Sequence, residues 1–185
     1  MPQRRAVFLD RDGTINENRS DHVKSLDEFV LLPGAIDAIG RLARSSLAVV
    51  IISNQSVINR RLASTQTVQA INRLLVEMVH GEGGRVDAVY FCPHTPDERC
   101  ECRKPQPGLL LQAQAEYDLQ LSGSYVVGDA ATDVELALAV AAQPILVLTG
   151  RGAEHVSRLT PEQRQRTQIC ADLSEAVTWI LTRED

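Results

Sequence analysis

The sequence predicts an α/β fold in which a mostly parallel sheet is covered by helices on both faces. Three observations carry that prediction. Short apolar runs alternate with helix-like patterns almost throughout the chain. The runs are continuous and rich in Val, Ile and Leu, as strands buried on both faces are. Polar residues gather directly after four of the runs: Asp10 and Asp12, Ser53 and Asn54, the segment from Cys92, and Asp129 with Asp133. Parallel strands would bring all four clusters to one sheet edge, where open α/β sheets bind ligands.

The elements follow in order. Ala6 to Leu9 is the first strand, and Gly13 allows a sharp turn away from it. The polar stretch from Ile15 to Glu28 reads as a flap over that strand. Pro33-Gly34 opens a helix with Ile36, Ile39, Leu42 and Ala43 on one face. Leu47 to Ile52 is the second strand. Ser64 and Thr65 are candidate N-caps of a long helix striped by Val68, Ile71, Leu74, Leu75 and Met78 and ended by Gly81 and Gly83-Gly84. Val86 to Cys92 is the third strand, and Pro107-Gly108 starts a helix that runs to Tyr117. Tyr125 to Val127 is the fourth strand, followed by an Ala/Leu-rich helix with Asp133 on its opening turn. Ile145 to Leu148 is the fifth. A helix from Pro161, a short strand from Gln168 to Ala171 and a helix from Ser174 to Leu181 close the chain. Residues 1–185 thus read as a single domain, long enough for a full core and without repeat or linker.

Composition excludes several kinds of partner. The net charge is −5 with no basic run, and aromatic residues are only 4%, so neither phosphate-backbone binding nor base stacking is expected. No apolar run approaches bilayer-spanning length and no secretory signal is visible, so the expectation is a cytoplasmic protein with no membrane partner. Three of the four cysteines fall between Cys92 and Cys102, a clustering that points to metal and a reducing compartment rather than to a disulfide framework. Cys170 stands alone and reads as a small core residue.

The clusters suggest chemistry. Asp10 and Asp12, two residues apart, repel each other unless a cation or a shared proton relieves them, and a hard divalent ion such as Mg²⁺ is the natural relief. One carboxylate suits attack on phosphorus, the other proton transfer to or from the reacting oxygen. Taken alone, the pair fits an ordinary acidic turn equally well. Ser53 and its polar neighbours can hydrogen-bond an anion's oxygens. Cys92, His94, Cys100 and Cys102 supply three thiolates and an imidazole, a closed tetrahedral set that suits a structural Zn²⁺. Free thiols or a redox pair are the alternatives, and neither accounts for His94 beside Cys92. Cys102 is bonded to Arg103, so such a metal would fix Arg103 and Lys104.

In order along the chain, Asp10-Arg11-Asp12-Gly13-Thr14, Ser53-Asn54-Gln55, Lys104-Pro105 and Gly128-Asp129 with Asp133 resemble the four motifs of the haloacid dehalogenase (HAD) superfamily of phosphatases. With Cys92-Pro93-His94, Cys100-Glu101-Cys102 and Arg103-Lys104-Pro105, the chain is similar to the zinc-containing branch of heptose-bisphosphate and histidinol phosphatases. The likeness runs from about Phe8 to Thr149. It implies a Rossmann-like three-layer sandwich with Asp10 as nucleophile and Asp12 as acid, then base. It implies Mg²⁺ held by Asp10, the backbone carbonyl of Asp12, and Asp129. Ser53, Asn54, Gln55, Arg103 and Lys104 would bind the phosphoryl group, and Asp133 would orient Lys104 or a water at the metal. The gaps from Asp12 to Ser53 and from Ser53 to Lys104 are filled by elements already placed, so no cap domain is expected.

Some positions depart from the pattern. Val57 and Arg61 stand where the family usually has Gly, so the loop should not freely take positive φ there. Ala130 replaces a Lys that many heptose-bisphosphate members carry. His22, in the flap, reads as a solvated loop residue. The resemblance implies a monomeric, Mg²⁺-dependent phosphatase of a sugar bisphosphate, the 7-phosphate of a heptose 1,7-bisphosphate being the foremost substrate. Histidinol phosphate is the enzymatic alternative, and a catalytically weak phosphosugar-binding protein is the non-enzymatic one.

Overall fold

A computed structural model describes residues 3–184. Six strands form one sheet in the order β3-β2-β1-β4-β5-β6. They are β1 (Arg4–Leu9), β2 (Ala48–Asn54), β3 (Ala88–Cys92), β4 (Leu119–Gly128), β5 (Gln143–Val147) and β6 (Gln168–Cys170). All five pairings among the described residues are parallel. Parallel neighbours need crossover connections, and helices supply them. These are α1 (Ala35–Ala43), α2 (Thr65–Gly81), α3 (Gly108–Tyr117), α4 (Ala131–Ala139), the short α5 (Gly152–His155), α6 (Pro161–Arg166) and α7 (Leu173–Leu181).

The central strand shows why the sheet needs cover on both sides. Val7 and Leu9 face a core shared with α1, α2 and α7, through Ile39, Ile71, Leu75 and Val177. Ala6 and Phe8 face the opposite core with α3 and α4, through Leu110, Ala113 and Leu136. Alternate residues therefore meet different layers, and each must be apolar. Between β1 and α1 the flap is pinned rather than folded. Ile15, Val23 and Phe29 are buried in the first core, and Asn16 bridges to Asp12 and Leu31.

Several boundaries differ from expectation. β4 begins six residues before Tyr125. Its register with β1 shifts between Arg5 and Val7, where the Ser124 hydroxyl oxygen accepts from the Ala6 N–H. Gly123 at φ 76 makes the irregularity possible, and the polar residues of the bulge conceal the strand in the sequence. On α2 the buried stripe is Val68, Ile71, Leu75 and Val79, joined by Asn72. Met78, expected in the stripe, is exposed. Ser64 does cap α2, accepting from the Thr67 N–H. α5 lies between the fifth strand and Pro161, a stretch to which no element is assigned from the sequence.

The Ser53 loop corrects one expectation. Arg61 adopts φ 59 although it carries a Cβ. The loop closes locally, with the Val57 carbonyl accepting from the N–H groups of Leu62 and Ala63, and Val57 fully buried. Closure and burial together hold Arg61 in a conformation that costs a non-glycine residue about 1–2 kcal/mol. Arg61→Gly is expected to raise stability by about 0.5–1 kcal/mol, after allowing for the greater unfolded-state freedom of glycine. Thermal melts would show a rise of roughly 1–4 °C. A fall in melting temperature would mean that the Arg61 side chain contributes more than the backbone strain removes.

Candidate active site

The four polar clusters meet at the C-terminal edge of the sheet. β1 ends with the Asp10 N–H donating to the Val127 carbonyl at 2.8 Å, which places the Asp10 side chain just beyond the central strand. Lys104 arrives from the segment after β3. Its Nζ lies 2.7 Å from Asp10 Oδ1 and 2.7 Å from Asp133 Oδ1. The Asn54 side chain, at the end of β2, sets the Lys104 backbone. Its Oδ1 accepts from the Lys104 N–H at 3.0 Å, and its Nδ2 donates to the Lys104 carbonyl at 3.2 Å. Asn54 thus spends its amide on the lysine's main chain.

Asp12 points elsewhere. Its carboxylate accepts from both Arg11 Nη2 contacts at 3.0 and 3.1 Å, from Asn16 at 2.9 Å and from Gln55 at 2.6 Å. Arg11 is completely buried and donates in turn to Asn72 Oδ1 at 2.9 Å, with its guanidinium over the Phe29 ring. Asn16 and Asn72 were not singled out in the sequence, and Arg11 stood only as a member of the Asp10–Thr14 motif without a role of its own. The one available signal was a charged residue inside an otherwise buried turn.

Asp129 is held between glycines. A Cβ on Gly13, at φ 93, would lie 2.1 Å from Asp129 Oδ2, and one on Gly150, at φ 55, would lie 2.3 Å from the same atom. Oδ2 accepts from the Arg151 N–H at 2.8 Å. Oδ1 is buried and has no hydrogen-bond partner among the described residues. Ser53 Oγ is likewise buried and unpartnered. Buried polar atoms are ordinarily satisfied. An anionic oxygen left open suits a cation, and a hydroxyl left open suits a phosphoryl oxygen.

The charge balance supports the first of these. Asp10, Asp129 and Asp133 bring carboxylate oxygens within 4.8 Å of one another, a set that could hold a metal ion. Burial pushes the Asp10 carboxyl up to about 6, against the opposing pull of Lys104. Burial and then the neighbouring Asp10 push Asp129 to about 6. Burial also raises Asp133. It disfavours the Lys104 ammonium, but the two flanking aspartates outweigh it and hold the lysine above its ordinary range. Asp12 differs. Burial alone would raise it, yet Arg11, Asn16 and Gln55 together hold it below the ordinary carboxylate range. Three crowded carboxylates around one lysine are short of positive charge, and a hard oxygen-seeking divalent cation supplies it.

The second cluster lies beside the first. Cys92 Sγ is 3.4 Å from His94 Nδ1 and 3.5 Å from Cys100 Sγ, and Cys102 Sγ is 3.3 Å from His94 Nδ1 and 3.5 Å from Cys100 Sγ. A zinc tetrahedron with Zn–S ~2.3 Å and Zn–N ~2.0–2.1 Å has edges of roughly 3.5–3.8 Å. All the cysteines are free thiols. Arg103 Nη1 donates to the His94 carbonyl at 2.9 Å, so the loop and the residue before Lys104 are tied together.

Around these groups opens a cleft of about 930 Å³. One wall carries Arg99, Cys100, Arg103 and Gln106; the other carries Ala130, Thr132, Arg151 and His155. His22 also lines it, so the flap histidine faces the cleft rather than open solvent alone. Arg99, Arg151 and His155 had no motif around them in the sequence and are brought in by the fold.

Comparison with known proteins agrees with this architecture. Over 178 residues, 96% of this chain and 98% of the relative, the sequence is 40% identical to the D-glycero-β-D-manno-heptose-1,7-bisphosphate 7-phosphatase of Pseudomonas aeruginosa. The chain belongs to this heptose-bisphosphate phosphatase family of HAD-like hydrolases. The Neisseria meningitidis enzyme of the same name is 35% identical over 95% of this chain and 94% of its own. The HAD-hydrolase-like family matches residues 101–176. Among solved structures, the D,D-heptose 1,7-bisphosphate phosphatase from Bordetella bronchiseptica, complexed with magnesium and phosphate, superposes with a TM-score of 0.90 at 38% identity, covering 97% of this chain and 99% of that one. The Rossmann-like, capless phosphatase fold expected from the motifs is therefore the fold found.

The zinc cluster yields a direct expectation. Purified protein should contain one zinc per chain by elemental analysis. Cys100→Ser should lose most of it and loosen the Arg103–Lys104 segment, with the sheet intact by circular dichroism. Zinc-free protein of full activity would remove any role for the cluster.

Proposed function

We propose that this chain is a Mg²⁺-dependent phosphatase that removes the 7-phosphate of D-glycero-β-D-manno-heptose 1,7-bisphosphate. The observation that carries the proposal is the buried set of Asp10, Asp129 and Asp133, with Lys104 bridging Asp10 and Asp133, at the base of the cleft. It stands in a chain that matches heptose-bisphosphate 7-phosphatases over 95–96% of its length. Asp10, the Asp12 carbonyl and Asp129 would hold the ion, and the open Asp129 Oδ1 fits that duty. Bound there, Mg²⁺ offsets the phosphate charge that would otherwise repel an anionic nucleophile.

The protein's own groups divide the remaining work. Lys104 and the unpartnered Ser53 hydroxyl hold the phosphoryl oxygens. Asp10 attacks phosphorus, and the bond to the sugar oxygen breaks as Asp12 gives that oxygen a proton. Water then attacks the aspartyl-phosphate while Asp12 takes its proton back, releasing inorganic phosphate and free Asp10. At rest Asp12 is a carboxylate, held so by Arg11, Asn16 and Gln55. The incoming phosphate dianion beside it raises its proton affinity and readies it to donate. Asp133 works through Lys104: one oxygen meets Nζ and the other accepts from the Ala130 N–H. Action as a monomer is part of the proposal, since the chemistry described draws on no group of a second copy. Thiols poised as metal ligands suit the reducing cytoplasm, and among the described residues no helix is long and apolar enough to cross a membrane.

The test is a rate comparison with and without Mg²⁺ on both heptose 1,7-bisphosphate anomers and on histidinol phosphate. The β-anomer should have the highest kcat/KM, and chelation should abolish turnover. A preference for histidinol phosphate would overturn the substrate assignment. Asp10→Asn should abolish turnover in a folded protein, and residual activity within tenfold of the parent would rule out the aspartyl-phosphate. Asp12→Asn should slow hydrolysis by about 10²–10⁴-fold for alcohol leaving groups. The loss should be smaller for a nitrophenyl ester, whose leaving oxygen needs little protonation.

A further inference from the structure

Among the described residues lining the cleft, His155 is the one buried titratable group to which the chemistry above gives no task. It is the last residue of α5, and only 7% of it is exposed. Its Nδ1 accepts a hydrogen bond from the Ala131 N–H at 3.0 Å. Ala131 is the first residue of α4, so this N–H is one of the donors that a helix start cannot satisfy internally. Asp133 takes the neighbouring donor, the Ala130 N–H. His155 and Asp133 thus cap the same helix end from two sides.

The bond decides the state of the ring. A backbone N–H can only donate, so the nitrogen receiving it carries no proton. A neutral imidazole must then carry its proton on Nε2. Protonating Nδ1 would set two donors against each other, and burial with the nearby Arg158 and Arg151 also disfavours the charged ring. Nε2 makes no hydrogen bond to any described residue, and the ring lines the cleft beside Ala130, Thr132 and Arg151. A donor locked in one tautomer, with its base fixed to a helix end, is already oriented before any ligand arrives. Its conformational cost on binding is correspondingly small.

We propose that His155 is a specificity-determining residue whose Nε2–H donates to an acceptor oxygen on the leaving-group portion of the substrate, outside the phosphoryl group being transferred. This rests on the phosphatase reading of the cleft. The acceptor is a sugar hydroxyl or the non-transferred phosphate; both offer a lone pair to a neutral N–H.

Two substitutions separate the roles of the ring. His155→Asn keeps an acceptor for the Ala131 N–H, because a short amide reaches the Nδ1 position, but withdraws the Nε2 donor. His155→Leu removes both. With heptose 1,7-bisphosphate, His155→Asn should raise KM with kcat nearly unchanged, as loss of uniform binding does. The rise should be about 3- to 10-fold for a hydroxyl and roughly 10-fold or more for a phosphate. Heptose 7-phosphate distinguishes the two: a rise on both substrates identifies a hydroxyl, and a rise on the bisphosphate alone identifies the second phosphate. With p-nitrophenyl phosphate, which has no such oxygens, KM for His155→Asn should match the parent. Equal losses on all three substrates, or no change on any, would overturn the proposal.

Nitrogen-15 NMR of the parent protein at pH 7 gives a readout independent of turnover. It should show His155 as the neutral Nε2–H tautomer, and an Nδ1–H or protonated ring would overturn the proposal. If the parent fails to hydrolyse the bisphosphate while His155 shows the expected tautomer, the substrate assignment is what fails. The His155 donor is then judged by whether its Nε2–H resonance shifts with fructose 1,6-bisphosphate, which carries both kinds of acceptor oxygen, and not with inorganic phosphate. Absence of that shift would overturn it.

Discussion

The site depends on one shared cation. Lys104 Nζ sits 2.7 Å from carboxylate oxygens of both Asp10 and Asp133, and all three side chains are buried. Taking such charges out of water is expensive, and the attraction recovers that cost only when the geometry is held. Removing one partner of a buried ionic group commonly costs about 3–5 kcal/mol, because the other charge is left without compensation. Most of the local architecture can be understood as what holds this lysine still. The Asn54 amide fastens its main chain on both sides. Asp133 is in turn anchored to the start of α4 through the Ala130 N–H.

The two proposed metal sites divide the labour according to their ligands. Thiolates and imidazole form a closed set that excludes water and suits structure, while crowded carboxylates at the cleft floor suit a hard, exchangeable cation. The closed set lies next to the lysine in the chain, and Arg103 ties back to His94. A metal held there would stiffen the loop at the point where it must deliver a long side chain to within hydrogen-bond range.

Asp10 and Asp12 show how two identical side chains, two residues apart, acquire different characters. Asp10 is buried among carboxylates with one lysine and is pushed up to about 6. Asp12 accepts from a buried arginine and two amides and is held low. The difference comes from α2 and the flap, since Arg11 is steadied by Asn72 on one side and by the Phe29 ring on the other. Opposite environments for neighbouring carboxylates would let one site hold both the nucleophile and the proton carrier proposed here.

By itself the sequence determined the parallel α/β architecture, because continuous Val- and Ile-rich runs tolerate only a sheet buried on both faces. Both candidate ligand sets were legible there too, since Asp10, Asp129 and the Cys92–Cys102 cluster are spaced by motif and lie at strand ends whose direction the pattern reveals. Tertiary structure decided what depends on distance across the chain. Asn72 is an unremarked polar residue on a helix until Arg11, sixty-one positions away, is brought against it. Asn54 reads as an anion ligand until Lys104 is seen to occupy its amide. Arg61 reads as a barrier to positive φ until loop closure and a buried Val57 hold it there. His155 carries no local signal, because its state is set by a helix end twenty-four residues earlier in the chain. Local pattern encodes which face is buried and which residue types cluster; the partner of each polar atom is a property of the packed whole.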